Sequence, residues 1–381
     1  MDWGEELYMI QHDMDKEQFE QYSKNRWSFV NSIVRVMVFV GFALLLNYCT
    51  GISAHSIPDY EGLAKRAISS VVQEGGYSPE DFRYAGVVIM DVSGCELACN
   101  VAIKYHKGWI NIEDGNLQPY PTGLGRYVLY AAMVPQISPS KVIDTGNGYY
   151  KDSSGSVILD ETFKNGGYQQ IALRKGVDVS NVCLVKAAEE LYNRNMARLA
   201  DDLIKTGIFF GSRPYADEDT YWDSQAIIGY RTKMSLLEST AWVNALGRPD
   251  GDIKMRFSNE DSCTNVIDSI ANKAGRDSLL SAMIESVRNG LSKHMNSMSV
   301  PVAGITNATI EPDGNQNYGL FAAALWPASN PKFALGVYVL KHKKPAGRLI
   351  PAKIARKVID GIVLKEQEIQ EDKGYIPPYE R

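Results

Sequence analysis

Two short strings in the sequence have the residue types of an acylating serine site. Ser138 and Lys141 have the S-x-x-K spacing, at which a lysine one helical turn after a serine accepts its proton. Lys205-Thr-Gly207 matches the strand motif that accompanies such a serine. Both contexts are wrong, because Pro135 and Pro139 predict a loop around Ser138, and Lys205 ends a predicted helix. We therefore interpret both strings as coincidental.

A third string, Asp144-Thr-Gly146, has the sequence of an aspartic-protease signature. That chemistry needs two carboxylates that share one proton and activate a water molecule. The chain carries the string once, so the second carboxylate would have to come from a second copy of the chain. The string continues as Asn147-Gly-Tyr149 without an apolar strand, which favours a plain turn. The protease remains an alternative function.

Seven longer segments follow one another between residues 84 and 364. They are a strand pair at 84–101, Pro121-Thr-Gly-Leu-Gly-Arg126 leading to Ala131-Ala-Met133, Val142-Ile-Asp-Thr-Gly-Asn-Gly148, Val179-Ser-Asn181, Ile228-Gly-Tyr230 with Met234-Ser-Leu-Leu237, Val302-Ala-Gly-Ile-Thr-Asn-Ala308, and a strand pair around Trp326-Pro327. In this order and spacing they resemble the transpeptidase domain of class B penicillin-binding proteins. The resemblance implies an α+β fold, in which helices flank an antiparallel sheet.

The first catalytic motif of that family is altered in this chain. In the family a P-G-S-x-x-K string supplies a serine nucleophile and a lysine base. Here the matching residues are either Thr122 and Gly125 or, shifted by one, Gly123 and Arg126; the distance to Ala131 favours the first alignment. Neither alignment has a lysine, and an arginine stays protonated at any workable pH. The resemblance therefore implies a site without its general base.

The other two motifs of the family are altered as well. Val179 replaces the first serine of S-x-N, which passes a proton to the leaving group. Ile305 replaces the lysine of K-T-G, which holds a substrate carboxylate, and Asn307 puts a side chain where the glycine leaves room. The S-x-N position begins 56 residues after Gly123, and the K-T-G position begins 126 residues after Val179. Both spacings are ordinary for the family.

Three residues of these motifs, Ser180, Asn181 and Thr306, are candidates for lining a cleft that survives. Each is an equally good candidate for a structural role, because Ser and Asn cap helices and Thr is common in sheets. The composition and spacing leave both alternatives open.

Losses in all three motifs predict a catalytically degenerate homologue, because the groups of such a site act as a unit. Its function would then be binding, as a scaffold or regulator that pairs with envelope proteins of cell-wall synthesis or division, in the divisome or the elongasome. A peptidoglycan peptide is a further ligand that the cleft would suit. The alternative is an active D,D-transpeptidase or carboxypeptidase on peptidoglycan stem peptides, with Thr122 as an atypical nucleophile.

The hydrophobic pattern predicts the elements that position these motifs. Alternating apolar residues predict a hairpin over 84–101 and two further strands, Tyr318–Trp326 and Lys332–Leu340. Apolar residues at helical spacing predict helices at 127–133, 171–200, 236–246, 279–295 and 352–364. This order along the chain, a strand pair, then helices, then a second strand pair and a last helix, is typical of an α+β fold with one antiparallel sheet.

An apolar stretch near the N-terminus predicts a membrane anchor. Residues 27–49 are long enough to span a bilayer and carry one charge, Arg35. Lys24 and Arg26 precede the stretch, and the next lysine or arginine after it is Lys65, so the N-terminus is expected in the cytoplasm. The main domain would then be periplasmic, on a bacterial inner membrane.

These features divide the chain into five parts. We predict a cytoplasmic tail at 1–26, the membrane helix at 27–49, a short and partly helical tether at 50–83, the transpeptidase-like domain at 84–364 and a C-terminal tail at 365–381. The family usually has a large domain between anchor and catalytic domain, which the tether would replace here.

The composition excludes several classes of protein. The chain has 40 Lys and Arg against 45 Asp and Glu, a net charge of −5, which excludes a generic nucleic-acid binder. The five cysteines and five histidines have no metal-ligand or disulfide-framework spacing. We therefore expect no metal and no cofactor.

Overall fold

The structure is a computed structural model of the 381-residue chain. It describes residues 58–77, 81–92, 97–104, 108–111, 122–207, 222–229, 234–255, 264–310, 317–342 and 349–371. The predicted anchor at 27–49, the tail before it and the last ten residues of the chain lie outside this part. No helix among the described residues has the length and apolar character needed to cross a membrane.

A six-stranded antiparallel sheet forms the centre of the described domain. Its strands are β1 (Phe82–Asp91), β2 (Leu97–Lys104), β3 (Gly108–Asn111), β10 (Ala303–Ile310), β11 (Asn317–Trp326) and β12 (Phe333–His342), in the spatial order β10-β11-β12-β1-β2-β3. β1 is a central strand that is buried on both faces, and Val87 pairs with Val101 on one side and Val337 on the other. The predicted strand pairs and the predicted α+β class are confirmed.

Two helices cover one face of this sheet. They are α1 (Tyr60–Glu74) and α9 (Ile350–Glu371), which also pack against each other. In α1 the residues at helical spacing Ala64, Ala67, Ile68 and Val71 are buried.

The boundaries of the domain differ from those predicted. Helix α1 lies in the predicted tether, yet its apolar side is part of the core, and the compact unit begins at Pro58. Helix α9 continues past residue 364 to Glu371. The domain is therefore longer at both ends than the hydrophobic pattern indicated.

The opposite face of the sheet carries the remaining helices of the described chain. They are α2 (Thr122–Met133), α3 (Leu173–Val179), α4 (Asn181–Tyr192), α5 (Met196–Lys205), α6 (Ser224–Ile227), α7 (Leu236–Leu246) and α8 (Lys273–Asn289). From Leu124 to Met133 every residue of α2 is buried, which is the pattern of a helix surrounded by protein. A capping box of Ser235 and Glu238 begins α7.

The single helix predicted over residues 171–200 is wrong. The segment forms the end of a strand and then the three helices α3, α4 and α5. Ser180 is extended, with φ −138° and ψ 108°, and separates α3 from α4. Asn193 and Arg194 have positive φ and separate α4 from α5. The apolar spacing continues across these breaks because all three helices bury a side in the same core, so the pattern alone did not reveal them.

Short strands form three two-stranded sheets beside the helices. β4 (Val142–Gly146) pairs with β7 (Gln169–Ala172), β5 (Tyr149–Lys151) with β6 (Val157–Leu159), and β8 (Ile253–Met255) with β9 (Thr264–Ile267). The string Asp144-Thr-Gly146 is thus the end of a strand rather than a plain turn. Residues 138–141 form a loop and Lys205 ends a helix, as the sequence predicted.

Candidate functional site

Helix α2 carries the first of the three altered motifs and begins at Thr122. The side chains of Thr122 and Gly123 lie outside the described residues. The helix is in contact with β10 and with helices α3, α4 and α8. The helix therefore lies where other helices meet the edge strand β10.

Gly125 is closely covered by the backbone that follows helix α6. A Cβ atom at this position would lie 2.5 Å from the carbonyl oxygen of Ile228 and 3.0 Å from the Cα of Gly229. Backbone atoms cannot rotate away as a side chain can, so the site accepts no side chain without moving the chain. If Thr122 occupies the nucleophile position, the position of the lysine base is filled by backbone.

Arg126 is buried and hydrogen-bonded to the start of the second motif. Its Nη1 donates to the backbone carbonyl of Asp178 at 2.8 Å. If Gly123 occupies the nucleophile position, this arginine stands where the lysine would be. A guanidinium has donors only and keeps its proton, so it can hold an anion but cannot act as a base.

Ser180, in the second motif, caps helix α4. Its Oγ accepts from the amide of Cys183 at 3.0 Å and donates to Asp160 Oδ2 at 2.6 Å. Asp160 Oδ1 also accepts from the amide of Val182 at 3.1 Å. Ser180 is fully buried and both hydrogen-bonding directions are used inside the protein, so the expectation that it lines a cleft is corrected.

Burial raises the pKa of Asp160, although hydrogen bonds from Ser180 and from the amides of Val182 and Asn181 oppose the rise, as does the charge of Arg126. Val179 and Asn181, on either side of Ser180, are half-buried. Of the two, Asn181 was a predicted cleft residue, and it stays a candidate. The motif mainly ends one helix and begins the next.

Cys183 follows the second motif by two residues and carries a thiol. This cysteine is free and buried. Burial raises the pKa of this thiol to about 12, with the charge of Asp160 adding to the rise. A thiol of this kind is protonated and unreactive at neutral pH.

The third motif lies on the edge strand β10. Ile305 is fully buried and packs in the core shared by the sheet and the helices, so the position of the substrate-binding lysine is apolar and closed. Asn307 is half-buried, on the same face of the strand. Thr306 points to the opposite face, where its Oγ1 donates to the backbone carbonyl of Leu291 at 3.2 Å.

A chain of buried polar groups joins the second motif to the third; we call it the polar bridge, and it consists of Asp178, Ser286, Ser292 and Thr306. Ser286 Oγ donates to Asp178 Oδ1 at 2.6 Å and lies 2.8 Å from Ser292 Oγ. Ser292 Oγ lies 3.3 Å from Thr306 Oγ1. The amide of Leu291 donates to Asp178 Oδ2 at 3.2 Å.

The polar bridge links α3, α8, the loop after α8 and strand β10. Each of its four side chains is more than nine-tenths buried, so their polar groups need partners inside the protein and find them in one another. A ligand between the two motifs would have to displace these hydrogen bonds. The bridge therefore makes this region a structural junction.

The polar bridge was not predicted from the sequence. Asp178 immediately precedes the second motif, which was the one available signal. Ser286 and Ser292 belong to no motif and lie more than 100 residues further along the chain.

An open cleft of about 480 Å³ lies next to the bridge, between α3 and α8. Its lining includes Asp178, Val179 and Ser286 on the inside and Arg174 and Glu285 on the exposed rim. Its lining carries both signs of charge. The predicted cleft residues Ser180, Asn181 and Thr306 are not part of this lining, whereas Val179, at an altered position of the second motif, is.

The protease alternative is not supported by the position of Asp144. Its carboxylate is exposed on β4 and accepts from the amide of Gly146 at 2.8 Å. Glu189 and Glu190 line the same shallow depression, but each carboxylate pairs with a basic residue, Arg194 and Lys141 respectively. A pair that shares one proton is therefore not formed there by the described residues.

Known proteins of similar structure were found, although no family model and no curated protein matches this chain by sequence. The transpeptidase domain of penicillin-binding protein 3 from Burkholderia pseudomallei has a TM-score of 0.59 at 15% identity, and the match covers 82% of this chain and 95% of that one. A peptidoglycan glycosyltransferase from Burkholderia ambifaria has a TM-score of 0.58 at 15% identity, covering 84% and 96%. This chain has the transpeptidase fold of the penicillin-binding proteins.

Proposed function

We propose that this protein is a catalytically degenerate penicillin-binding-protein homologue that acts in bacterial cell-wall synthesis or division by binding other proteins. One observation carries the proposal: neither alignment of the first motif supplies a base. Position 125 has no room for a side chain, because the backbone of Ile228 fills it, and position 126 is an arginine bonded to Asp178. Acyl transfer by a hydroxyl requires a group that removes its proton.

The polar bridge and the buried Ile305 support the same proposal. In a working enzyme of this fold, the resemblance implies that the second and third motifs face a substrate. Here Ser180 caps a helix and Thr306 is bonded to the loop after α8. The relation to the cell wall rests on the similar structures, which are a penicillin-binding protein and a peptidoglycan glycosyltransferase.

The proposal includes a location and a class of partner. Residues 27–49 would anchor the chain in the inner membrane, with residues 1–26 in the cytoplasm and the described domain in the periplasm. The partners would be divisome or elongasome proteins, bound by the domain, by the anchor or by the cytoplasmic tail. Co-purification of such proteins from solubilised membranes, with a variant that lacks residues 1–26 for comparison, tests which part binds.

Covalent labelling with a fluorescent penicillin tests the absence of acyl transfer. We expect the full-length chain in membranes to stay unlabelled, while active penicillin-binding proteins in the same membranes are labelled. Thr122→Ser should also stay unlabelled, because a better nucleophile still lacks a base. A labelled band that Thr122→Ala abolishes would overturn the proposal and favour the alternative, an active transpeptidase or carboxypeptidase with Thr122 as nucleophile.

A further inference from the structure

The β5–β6 hairpin exposes apolar side chains on its outward face. The central residue of each strand is buried, and the flanking residues point outward. Tyr149 lies opposite Leu159, and Lys151 lies opposite Val157. Tyr149, Leu159 and Val157 are 41%, 49% and 37% exposed. The hairpin therefore presents a second apolar face to the solvent.

Phe163 extends this face. It lies in the single helical turn after β6, is half-buried, and its ring centroid is 6.1 Å from that of Tyr149. We call Tyr149, Val157, Leu159 and Phe163 the apolar patch. Single exposed apolar residues are ordinary, but a cluster of them on one surface is typical of an interaction site.

The hairpin is held firmly in place. Asp152 in its turn accepts hydrogen bonds from the amides of Ser154 and Ser156 and, through Oδ2, from the amide and hydroxyl of Ser224 at the start of α6. Burial raises the pKa of Asp152, but these hydrogen bonds outweigh it and lower the pKa to about 2. The apolar patch is thus a preformed surface on a rigid support.

Two lysines without a carboxylate partner in the described structure flank the apolar patch. Lys151 lies on the same face, at the end nearest the hairpin turn, and Lys164 is exposed on the helical turn that carries Phe163. The nearby Lys141 and Arg194 differ, since they form ion pairs with Glu190 and Glu189. The surroundings of the patch thus carry exposed lysines at two sides, with one exposed carboxylate, Glu161, between them in the sequence.

We propose that this face binds an acidic and apolar segment of a partner protein. Apolar side chains of the segment cover the patch, and its carboxylates pair with Lys151 and Lys164, which gives orientation and specificity. A second copy of this chain fits less well, because it would bring further unpaired lysines to the contact. The proposal goes beyond the proposed function, since this surface is separate from the three motifs.

Binding of a synthetic peptide to the full-length chain in lipid nanodiscs tests the proposal. The probe is a fluorescein-labelled peptide with a short leucine and phenylalanine core between glutamates, measured by fluorescence anisotropy against empty nanodiscs. The control peptide has lysines in place of the glutamates. We expect saturable binding of the acidic peptide and at least about tenfold weaker binding of the lysine peptide.

Matched variants locate the binding. Leu159→Asp should weaken binding of the acidic peptide by about tenfold or more, and Lys151→Glu should weaken this binding as well. Leu364 on α9 is 56% exposed, a fraction similar to that of Leu159, and Leu364→Asp should leave peptide binding unchanged. All variants should keep the wild-type circular dichroism, because the replaced side chains are at the surface.

Three results would overturn the proposal: equal binding of both peptides, equal effects of Leu159→Asp and Leu364→Asp, or a dimer in analytical ultracentrifugation that Leu159→Asp dissociates. The last result would assign the face to self-association. Labelling by penicillin involves Thr122 and not this face, so the two proposals can fail separately.

Discussion

Asp178 connects the parts of the candidate site. Its carbonyl accepts from Arg126, and its carboxylate accepts from Ser286 and from the amide of Leu291. A carboxylate in such a position is a strong acceptor; its removal leaves the Leu291 amide without an acceptor and leaves the buried Ser286 hydroxyl with Ser292 alone. At the scale of residues, Asp178 thus joins α2, α3 and α8 through hydrogen bonds.

The Asp178→Ala variant should be strongly destabilised. We expect a loss of roughly 2–3 kcal/mol in the free energy of unfolding, because the Leu291 amide loses its acceptor and the buried Ser286 hydroxyl loses its charged one. Urea unfolding followed by circular dichroism measures it. Glu190→Ala is the control, since its ion pair with Lys141 is exposed and contributes about 0–1 kcal/mol. Equal losses in the two variants would contradict a structural role for the polar bridge.

At the scale of elements, the packing of α2 decides what the first motif can do. The helix is covered on all sides, and Gly125 allows the backbone after α6 to approach it. A lysine at this position would need the backbone at Ile228 and Gly229 to move. Restoring the family's motif by substitution at Gly125 would therefore cost stability before it supplied a base.

Alanine substitutions at two helical glycines distinguish the close backbone approach at Gly125 from the ordinary effect of glycine on helix stability. Alanine favours a helix over glycine by about 1 kcal/mol. Gly361→Ala in α9 meets the flexible side chain of Leu63 at 3.0 Å, so we expect a change between about 0 and 1 kcal/mol in favour of folding. Gly125→Ala meets backbone and should instead lose about 1–3 kcal/mol.

Thermal unfolding of the two glycine variants beside the wild type gives the sign of each effect. A stabilised Gly125→Ala variant would show that the backbone at Ile228 moves easily. In that case only the sequence, and not the packing of α2, would argue against a lysine base at position 125.

At the scale of the whole molecule, the domain includes the segment that was predicted as a tether. Helix α1 packs against α9 and the sheet through Ala64, Ala67, Ile68 and Val71. A helix that is part of the core moves with the domain.

Ile68→Ala tests whether α1 belongs to the domain. A buried isoleucine replaced by alanine costs about 2–4 kcal/mol through lost apolar burial and the cavity it leaves. The exposed Arg66 in the same helix gives the control, and Arg66→Ala should change stability by about 0.5 kcal/mol or less. If α1 were only a tether, both variants would unfold at the wild-type temperature.

The sequence by itself determined the features that depend on neighbouring residues. Alternating apolar residues indicated the strand pairs at 84–101 and 318–340, and helical spacing indicated α7 and α9. The order of the altered motifs indicated the fold. The absence of a lysine near Thr122 and at residue 305 is likewise visible in the sequence.

Only the tertiary structure decided the features that join distant parts of the chain. The backbone at Ile228 fills the space beside Gly125, and Ser286 reaches Asp178 from more than 100 residues away. Ser180 interrupts an apolar pattern that continues on both sides of it, and α1 joins the core. Such contacts depend on which surfaces meet when the chain folds, and apolar spacing within one segment carries no information about them.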